Sequence, residues 1–304
     1  MIKNVYTIPN TINKQSLIKT MKQVAALLFL LVFVILDYGF LNPNEPPQPY
    51  VPMTKNPFEH VDKTWVDSVY NSMTLEQRIG QLFMVAAYTS PEQSNKQQVA
   101  DLITNYGIGG IIFMKGSPTN QVLYTNYFQS LSKVPLMVAI DGEWGLAMRL
   151  DSTTSFPRQL MLGAITDNKL IYEMGYEIGR QCKRMGIHVN FAPVVDINNN
   201  PNNPVINSRS FGELKHNVAV KGDYYMTGMQ DQGILTTAKH FPGHGDTDAD
   251  SHKSLPIIPH RKARLDSVEL YPFKYLIQRN LTGVMVAHLY IPEIDRTKNQ
   301  ASTL

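Results

Sequence analysis

The strongest constraint on the fold is an alternation. Six apolar, β-branched segments of strand length are interleaved with segments of helical periodicity. The spacing predicts strands over Gln81–Ala87, Gly109–Met114, Pro135–Ile140, Ile187–Ala192, Ile234–Lys239 and Gly283–His288. It predicts helices over Trp65–Met73, Lys96–Tyr106, Thr119–Ser132, Leu214–Gln232 and Leu265–Arg279, and one capped by Asp167 that runs to about Met185. On that last helix Ile171, Met174, Ile178 and Cys182 share one face. Thr74-Leu75-Glu76-Gln77 fits a capping box. Strands apolar on both faces call for a parallel sheet covered by helices. Polar residues gather where the strands end, at Asp141, Asp196, Lys239-His240 and His288. Such a distribution fits an α/β chain wound as a (β/α)8 TIM-type barrel, here C-terminally truncated after about six βα units. A six-stranded doubly wound sheet is the structural alternative. Neither a GxGxxG after the first strand nor a GxxxxGK[ST] occurs, so no nucleotide and no other cofactor is expected.

The ends of the chain differ from its middle. Val24–Leu36 is an unbroken apolar run behind Lys14, Lys19 and Lys22. That order matches the charged and apolar regions of a secretory signal or a signal-anchor over residues 14–41. The lysines favour an N-terminus inside and a globular part that is exported, either periplasmic or on the outer face of the inner membrane. Six prolines between Asn42 and Pro57 make an extended spacer. The expected organisation is therefore an anchor over 1–41, a linker over 42–57 and a barrel over 58–304. Net charge is only +3, from 28 basic and 25 acidic residues, which argues against a nucleic-acid partner. The lone cysteine, Cys182, excludes an intrachain disulfide.

The densest chemistry lies at Lys239-His240-Phe241-Pro242-Gly243-His244-Gly245-Asp246-Thr247-Asp248-Ala249-Asp250-Ser251-His252, directly after a strand. Pro242, Gly243 and Gly245 end any regular element, so the titratable groups fall at the strand end and on the loop beyond. Asp250 two residues before His252 can orient an imidazole that gives and takes a proton near neutral pH; a solvated polar loop is the plain alternative. Lys239 and His240 would sit in a barrel mouth, where a lysine needs an acidic partner. Asp141 can accept from two hydroxyls and Arg149 can donate as a fork, although a bare surface ion pair would look the same. Arg209 lies in Asn207-Ser208-Arg209-Ser210-Phe211-Gly212, on a long loop after a strand. His240, His244, Asp246, Asp248, Asp250 and His252 are also candidate metal ligands, but no HExxH and no paired cysteines accompany them.

Taken together these segments resemble glycoside hydrolase family 3, in its β-N-acetylglucosaminidase branch. The signature is Lys239 to Gly245, then Asp250-Ser251-His252, then Pro256. Gly80-Gln81-Leu82-Phe83, Gly109-Gly110-Ile111-Ile112, Asp141-Gly142-Glu143, Phe191-Ala192-Pro193-Val194-Val195-Asp196 and Arg209-Ser210-Phe211-Gly212 are similar to family segments in the same order. The resemblance implies a barrel that removes terminal β-N-acetylglucosamine with retention, from peptidoglycan fragments or related glycans. It implies His252 as acid/base, Asp250 as its partner, and Asp141, Arg149, Arg209, Lys239 and His240 as sugar ligands. Two departures stand out. Asp141-Gly142-Glu143-Trp144-Gly145 varies the family's double glycine, and no Ser-Asp pair, the family's nucleophile motif, follows His288. The rival expectations are a non-catalytic peptidoglycan- or sugar-binding protein and a metal-dependent hydrolase.

Overall fold

The computed structural model describes residues 62–249, 254–297 and 300–302, all within the compact unit Pro52–Leu304. The apolar N-terminal run, the proline-rich linker, and Asp250 and His252 lie outside the described residues. Among the described residues no helix is long and apolar enough to cross a membrane.

Two helices lead in: α1 (Thr64–Ser72) and α2 (Leu75–Gly80). The second starts with the expected capping box. The Thr74 side chain accepts from Gln77 N–H, and the Gln77 side chain accepts from Thr74 N–H at 2.9 Å. The repeat then runs β1 (Met84–Tyr88), α3 (Lys96–Tyr106), β2 (Gly110–Lys115), α4 (Pro118–Leu131), β3 (Met137–Ile140), α5 (Gln159–Gly163), α6 (Asn168–Arg184), β4 (Val189–Asn190), α7 (Lys215–Gln230), β5 (Leu235–Phe241), α8 (Lys262–Ser267), α9 (Tyr271–Ile277) and β6 (Gly283–Val286).

Every neighbouring strand pair is parallel, and the spatial order is the chain order, β1 to β6. A doubly wound sheet must reverse its order at a switch point. This sheet never does, so its winding is that of a barrel wall. All strand C-termini therefore collect at one end, which is where Asp141 follows β3 and where Lys239 and His240 lie in β5.

Helices α3, α7 and α9 pack against strands of the sheet, and α6 packs on α7. Ile171, Met174, Ile178 and Cys182 of α6 are all buried, as their spacing predicts. Helices α6 and α7 approach closely because glycines face the contact: a Cβ on Gly228 would stand 2.2 Å from the Tyr172 carbonyl oxygen. Gly228→Ala gains helix propensity but drives a methyl into backbone. It is expected to lose about 1–3 kcal/mol, read as a lowered Tm; an unchanged or raised Tm would show that the helices can part freely.

Several elements differ from the sequence expectation: β4 is only Val189–Asn190, β6 stops at Val286, β5 runs on to Phe241, and three further differences have a local cause. The single helix over Leu265–Arg279 is two helices, because Pro272 can occupy only a first turn and there opens α9. Residues 81–83 continue the turn after α2, with Leu82 N–H donating to the Ile79 carbonyl, so β1 starts at Met84. Helix α5 falls in a stretch to which the sequence reading assigns no element; five residues carry too little periodicity to register.

Candidate active site

The strand ends assemble one connected lattice of charge. Asp141 divides its carboxylate: Oδ1 accepts from Lys239 Nζ at 2.5 Å and Oδ2 from Arg149 Nη2 at 2.6 Å. Lys239 Nζ also reaches Glu143 Oε1 at 2.8 Å. Arg209 grips Glu143 with a fork, Nη2 to Oε1 at 2.7 Å and Nε to Oε2 at 2.9 Å. Arg209 Nη2 lies 3.3 Å from His240 Nε2, and His240 Nδ1 lies 2.7 Å from Asp196 Oδ2. Asp196 Oδ1 accepts the backbone N–H groups of His240 and His244, at 3.1 and 2.7 Å.

Three cations and three carboxylates thus form one chain joined through His240: Lys239 and Glu143 each have partners of opposite sign, and buried Asp196 is held by the His240 ring and two backbone N–H groups. Such pairing is the condition under which charges are tolerated away from water. The lattice has two layers. Lys239, Glu143 and Asp196 side chains are 1%, 0% and 0% exposed, whereas Arg149, Asp141, Arg209 and His240 are 21%, 18%, 20% and 17% exposed. The first set is the buried frame, and the second presents donors and acceptors to solvent.

The frame is built locally. The turn after β3 is pinned by Asn190, whose side-chain oxygen accepts from Gly142 N–H at 2.9 Å and whose amide donates to the Gly142 carbonyl at 3.2 Å. Tyr225 Oη and Gln159 Nε2 donate to the Glu143 carbonyl at 2.9 and 2.8 Å. Helices α5 and α7 thereby fix the Glu143 backbone while Arg209 and Lys239 fix its carboxylate.

The electrostatics follow. Burial alone would raise the Glu143 carboxyl, but Lys239 and Arg209 outweigh it and hold the group down at about 2. Burial likewise opposes ionisation of Asp196, yet His240 and the His244 N–H keep its carboxyl below the ordinary range. Burial pushes the His244 imidazole down despite Asp196 nearby, so this ring is neutral at pH 7, with Thr247 Oγ1 2.8 Å from Nδ1.

Of the seven residues singled out in the sequence, five come together: Asp141, Arg149, Arg209, Lys239 and His240. Asp250 and His252 lie outside the described residues. Two members were not singled out. Glu143 had a usable signal, since a second carboxylate two residues past a strand end can return to the same side. Asp196 was noticed at a strand end, but its partners, 44 and 48 residues away along the chain, are set by tertiary packing.

The metal alternative can be examined in the geometry. Among the described residues one trio, Asp246, His260 and Glu269, could converge on a cation. The donor set fits poorly. Asp246 Oδ2 and His260 Nε2 are 2.6 Å apart, a hydrogen bond rather than two ligands of one ion. The Arg264 guanidinium supplies positive charge there, 3.0 Å from Glu269 and 4.0 Å from Asp246.

Comparison with known proteins places the chain. The model of the glycosyl hydrolase family 3 N-terminal domain matches residues 74–304. The chain is 38% identical over 215 residues to Beta-hexosaminidase A of Pseudoalteromonas piscicida, covering 66% of this chain and 36% of that protein. It is 34% identical over 200 residues to the Beta-hexosaminidase LpqI of Mycobacterium tuberculosis, covering 63% and 50%. A solved glycoside hydrolase family 3 β-N-acetylglucosaminidase from Paenibacillus superposes with a TM-score of 0.69 at 40% identity, over 75% of this chain and 44% of that one. The chain thus spans half or less of the length of these relatives. With a parallel sheet wound in chain order, a charge lattice at its strand ends and a family match over most of its residues, the chain belongs to glycosyl hydrolase family 3 through that family's N-terminal domain.

Proposed function

We propose that this barrel serves a retaining β-N-acetylhexosaminidase that removes terminal, non-reducing β-N-acetylglucosamine, with His252 as the proton donor and acceptor and Asp250 orienting its ring. The observation that carries this reading is the outer layer of the lattice. Asp141 offers an acceptor and Arg149 and Arg209 offer donors, held in place by the buried frame and partly open to solvent. An array of fixed, oppositely charged groups suits a ligand rich in hydroxyls and an amide. The hexosaminidase names of the relatives support the same choice.

Retention requires a second carboxylate to attack the anomeric carbon. The lattice does not supply it. Glu143 and Asp196 are buried with both oxygens engaged, and Asp141, each of whose oxygens is held by a cation, is left to accept from the sugar's hydroxyls. The nucleophile is therefore assigned to a residue outside this lattice. A neutral imidazole as acid/base repels an anionic nucleophile less than a second carboxylate would.

In a protein continuing this chain through two more βα units, His252→Ala should lower kcat/KM for a phenyl β-N-acetylglucosaminide by about 10²–10⁴-fold. Azide, or an activated aryl leaving group, should recover part of the loss. Undiminished turnover of the phenyl glycoside would refute the role. The natural substrate is proposed to be peptidoglycan fragments, chitobiose or related glycans, met outside the cytoplasm by a domain exported behind the 14–41 segment.

The engagement of all three lattice carboxylates also favours a second reading, a sugar-binding protein without turnover. Saturable N-acetylglucosamine binding with no release of product from any aryl glycoside would select it.

A further inference from the structure

The connection from β5 to α8 begins and ends on separately fixed stems. The first stem is tied to the loop after β4: Asp196 holds the His244 N–H, Asn203 Nδ2 donates to the His244 carbonyl at 2.8 Å, and Asn200 Nδ2 donates to Asp248 at 2.6 Å. The second stem is tied to the segment after β6. Ile258 N–H donates to the Tyr290 carbonyl and Tyr290 N–H to the Pro256 carbonyl, both at 2.9 Å, over a small core of Ile258, Leu265, Ala287, Leu289 and Ile291. Between the stems, the direct side-chain hydrogen bond among the described residues is His260 Nε2 to Asp246 Oδ2 at 2.6 Å.

This bond is braced from behind. Arg264 Nη2 stands 4.0 Å from Asp246 Oδ2 and 3.0 Å from Glu269 Oε1. Glu269 is buried, and its Cβ would lie 2.9 Å from a Cβ built on Gly243, so the brace rests against the end of β5 itself. Arg264 compensates two carboxylates, and His260 is the member that faces Asp246 from across the connection. Nothing in the sugar lattice needs this pair: neither residue contacts Asp141, Glu143, Arg149, Arg209, Lys239 or His240 through a described hydrogen bond or ion pair.

We propose that His260, acting through Asp246, is a positioning residue for the proton-transfer step. In sequence Asp250 and His252 lie between Asp246 and His260. Holding the two ends of a connection at a fixed separation removes most of the conformations its middle could sample. Placement errors near 1 Å at a reacting group can cost about 100-fold in rate. The Asp246–His260 pair makes no described contact with the sugar ligands, so its expected effect is on proton delivery rather than on sugar binding. The inference rests on the reading that His252 donates the proton.

The test uses the full protein and two aryl β-N-acetylglucosaminides. A phenyl leaving group needs protonation, whereas a 2,4-dinitrophenyl group departs without it. His260→Ala should lower kcat/KM for the phenyl glycoside by about 10–100-fold, leave the dinitrophenyl glycoside within about twofold, and leave the inhibition constant of N-acetylglucosamine unchanged. His260→Gln, which can still donate to Asp246, should recover most of the loss. Asp246→Asn serves if His260→Ala proves unstable in a thermal melt, and should show the same split. Equal losses on both glycosides, or no loss on either, would overturn the inference. His252→Ala run alongside separates the two claims. If it shows the leaving-group split and His260→Ala does not, the clamp fails alone; if neither shows it, the acid/base reading fails with it.

Discussion

Lys239→Met should destabilise the protein by about 3–5 kcal/mol and abolish measurable sugar binding. The side chain is among the largest that are fully buried, and its ammonium lies between Asp141 Oδ1 and Glu143 Oε1 at 2.5 and 2.8 Å. Methionine matches its length and fills the same space, so cavity formation contributes little. What is lost is the one cation that both carboxylates share. Asp141 would keep Arg149 and Glu143 would keep Arg209, but two like charges would then face each other without the ammonium between them. Asp141 relaxes away from its place, and with it the acceptor offered to the ligand. Urea denaturation at pH 7 reads the first effect and calorimetric titration with N-acetylglucosamine the second. Stability within about 1 kcal/mol of wild type would mean that the lysine is not structurally coupled to the pair.

Glu143→Gln should cost a similar amount, about 3–5 kcal/mol, because it removes the carboxylate that Arg209 grips and leaves buried Lys239 with Asp141 alone. This variant has a second signature in pH. The Glu143 carboxyl is held at about 2 against an ordinary value of 4.5, a shift worth about 3 kcal/mol. A depressed carboxyl contributes fully above its unfolded value and loses its contribution as pH falls toward the folded value. Wild-type stability should therefore fall between about pH 4.5 and pH 2, and part of that fall should vanish in Glu143→Gln. The remaining slope would report the other depressed carboxyls, among them Asp196 and Glu177. Denaturant midpoints at pH 6 and pH 3 check this; parallel pH curves for the two proteins would place the acid sensitivity elsewhere.

Much of this was legible before any coordinates. The order of strands and helices follows from periodicity, because β2 to β5 are apolar runs with buried residues and helices such as α3 and α6 bury one stripe. The capping box at Thr74 and the buried face of α6 followed from local rules alone. Where local rules competed, the outcome was less readable. The apolar continuity from Leu265 to Arg279 hid the break before Pro272, and the apolar run at 81–87 hid a turn at its start. The lattice divided along the same line. Residues next to one another in a motif, such as Lys239 and His240, could be paired with a strand end. The frame around Glu143 could not, because Arg209 lies 66 residues away and Lys239 sits on a strand two places across the sheet. Distances along the chain say nothing about which charges a winding sheet will bring together.

The central claim is that this lattice seats an N-acetylated sugar. Its most direct test is a titration of the protein with N-acetylglucosamine and, separately, with glucose, monitored by calorimetry for wild type and for Arg209→Lys. Lysine keeps the charge but cannot reproduce the fork on Glu143. The account predicts saturable binding of N-acetylglucosamine, weaker binding of glucose, and a loss of at least about 10-fold in the variant. Equal affinity for the two sugars, or an affinity unchanged by Arg209→Lys, would contradict it.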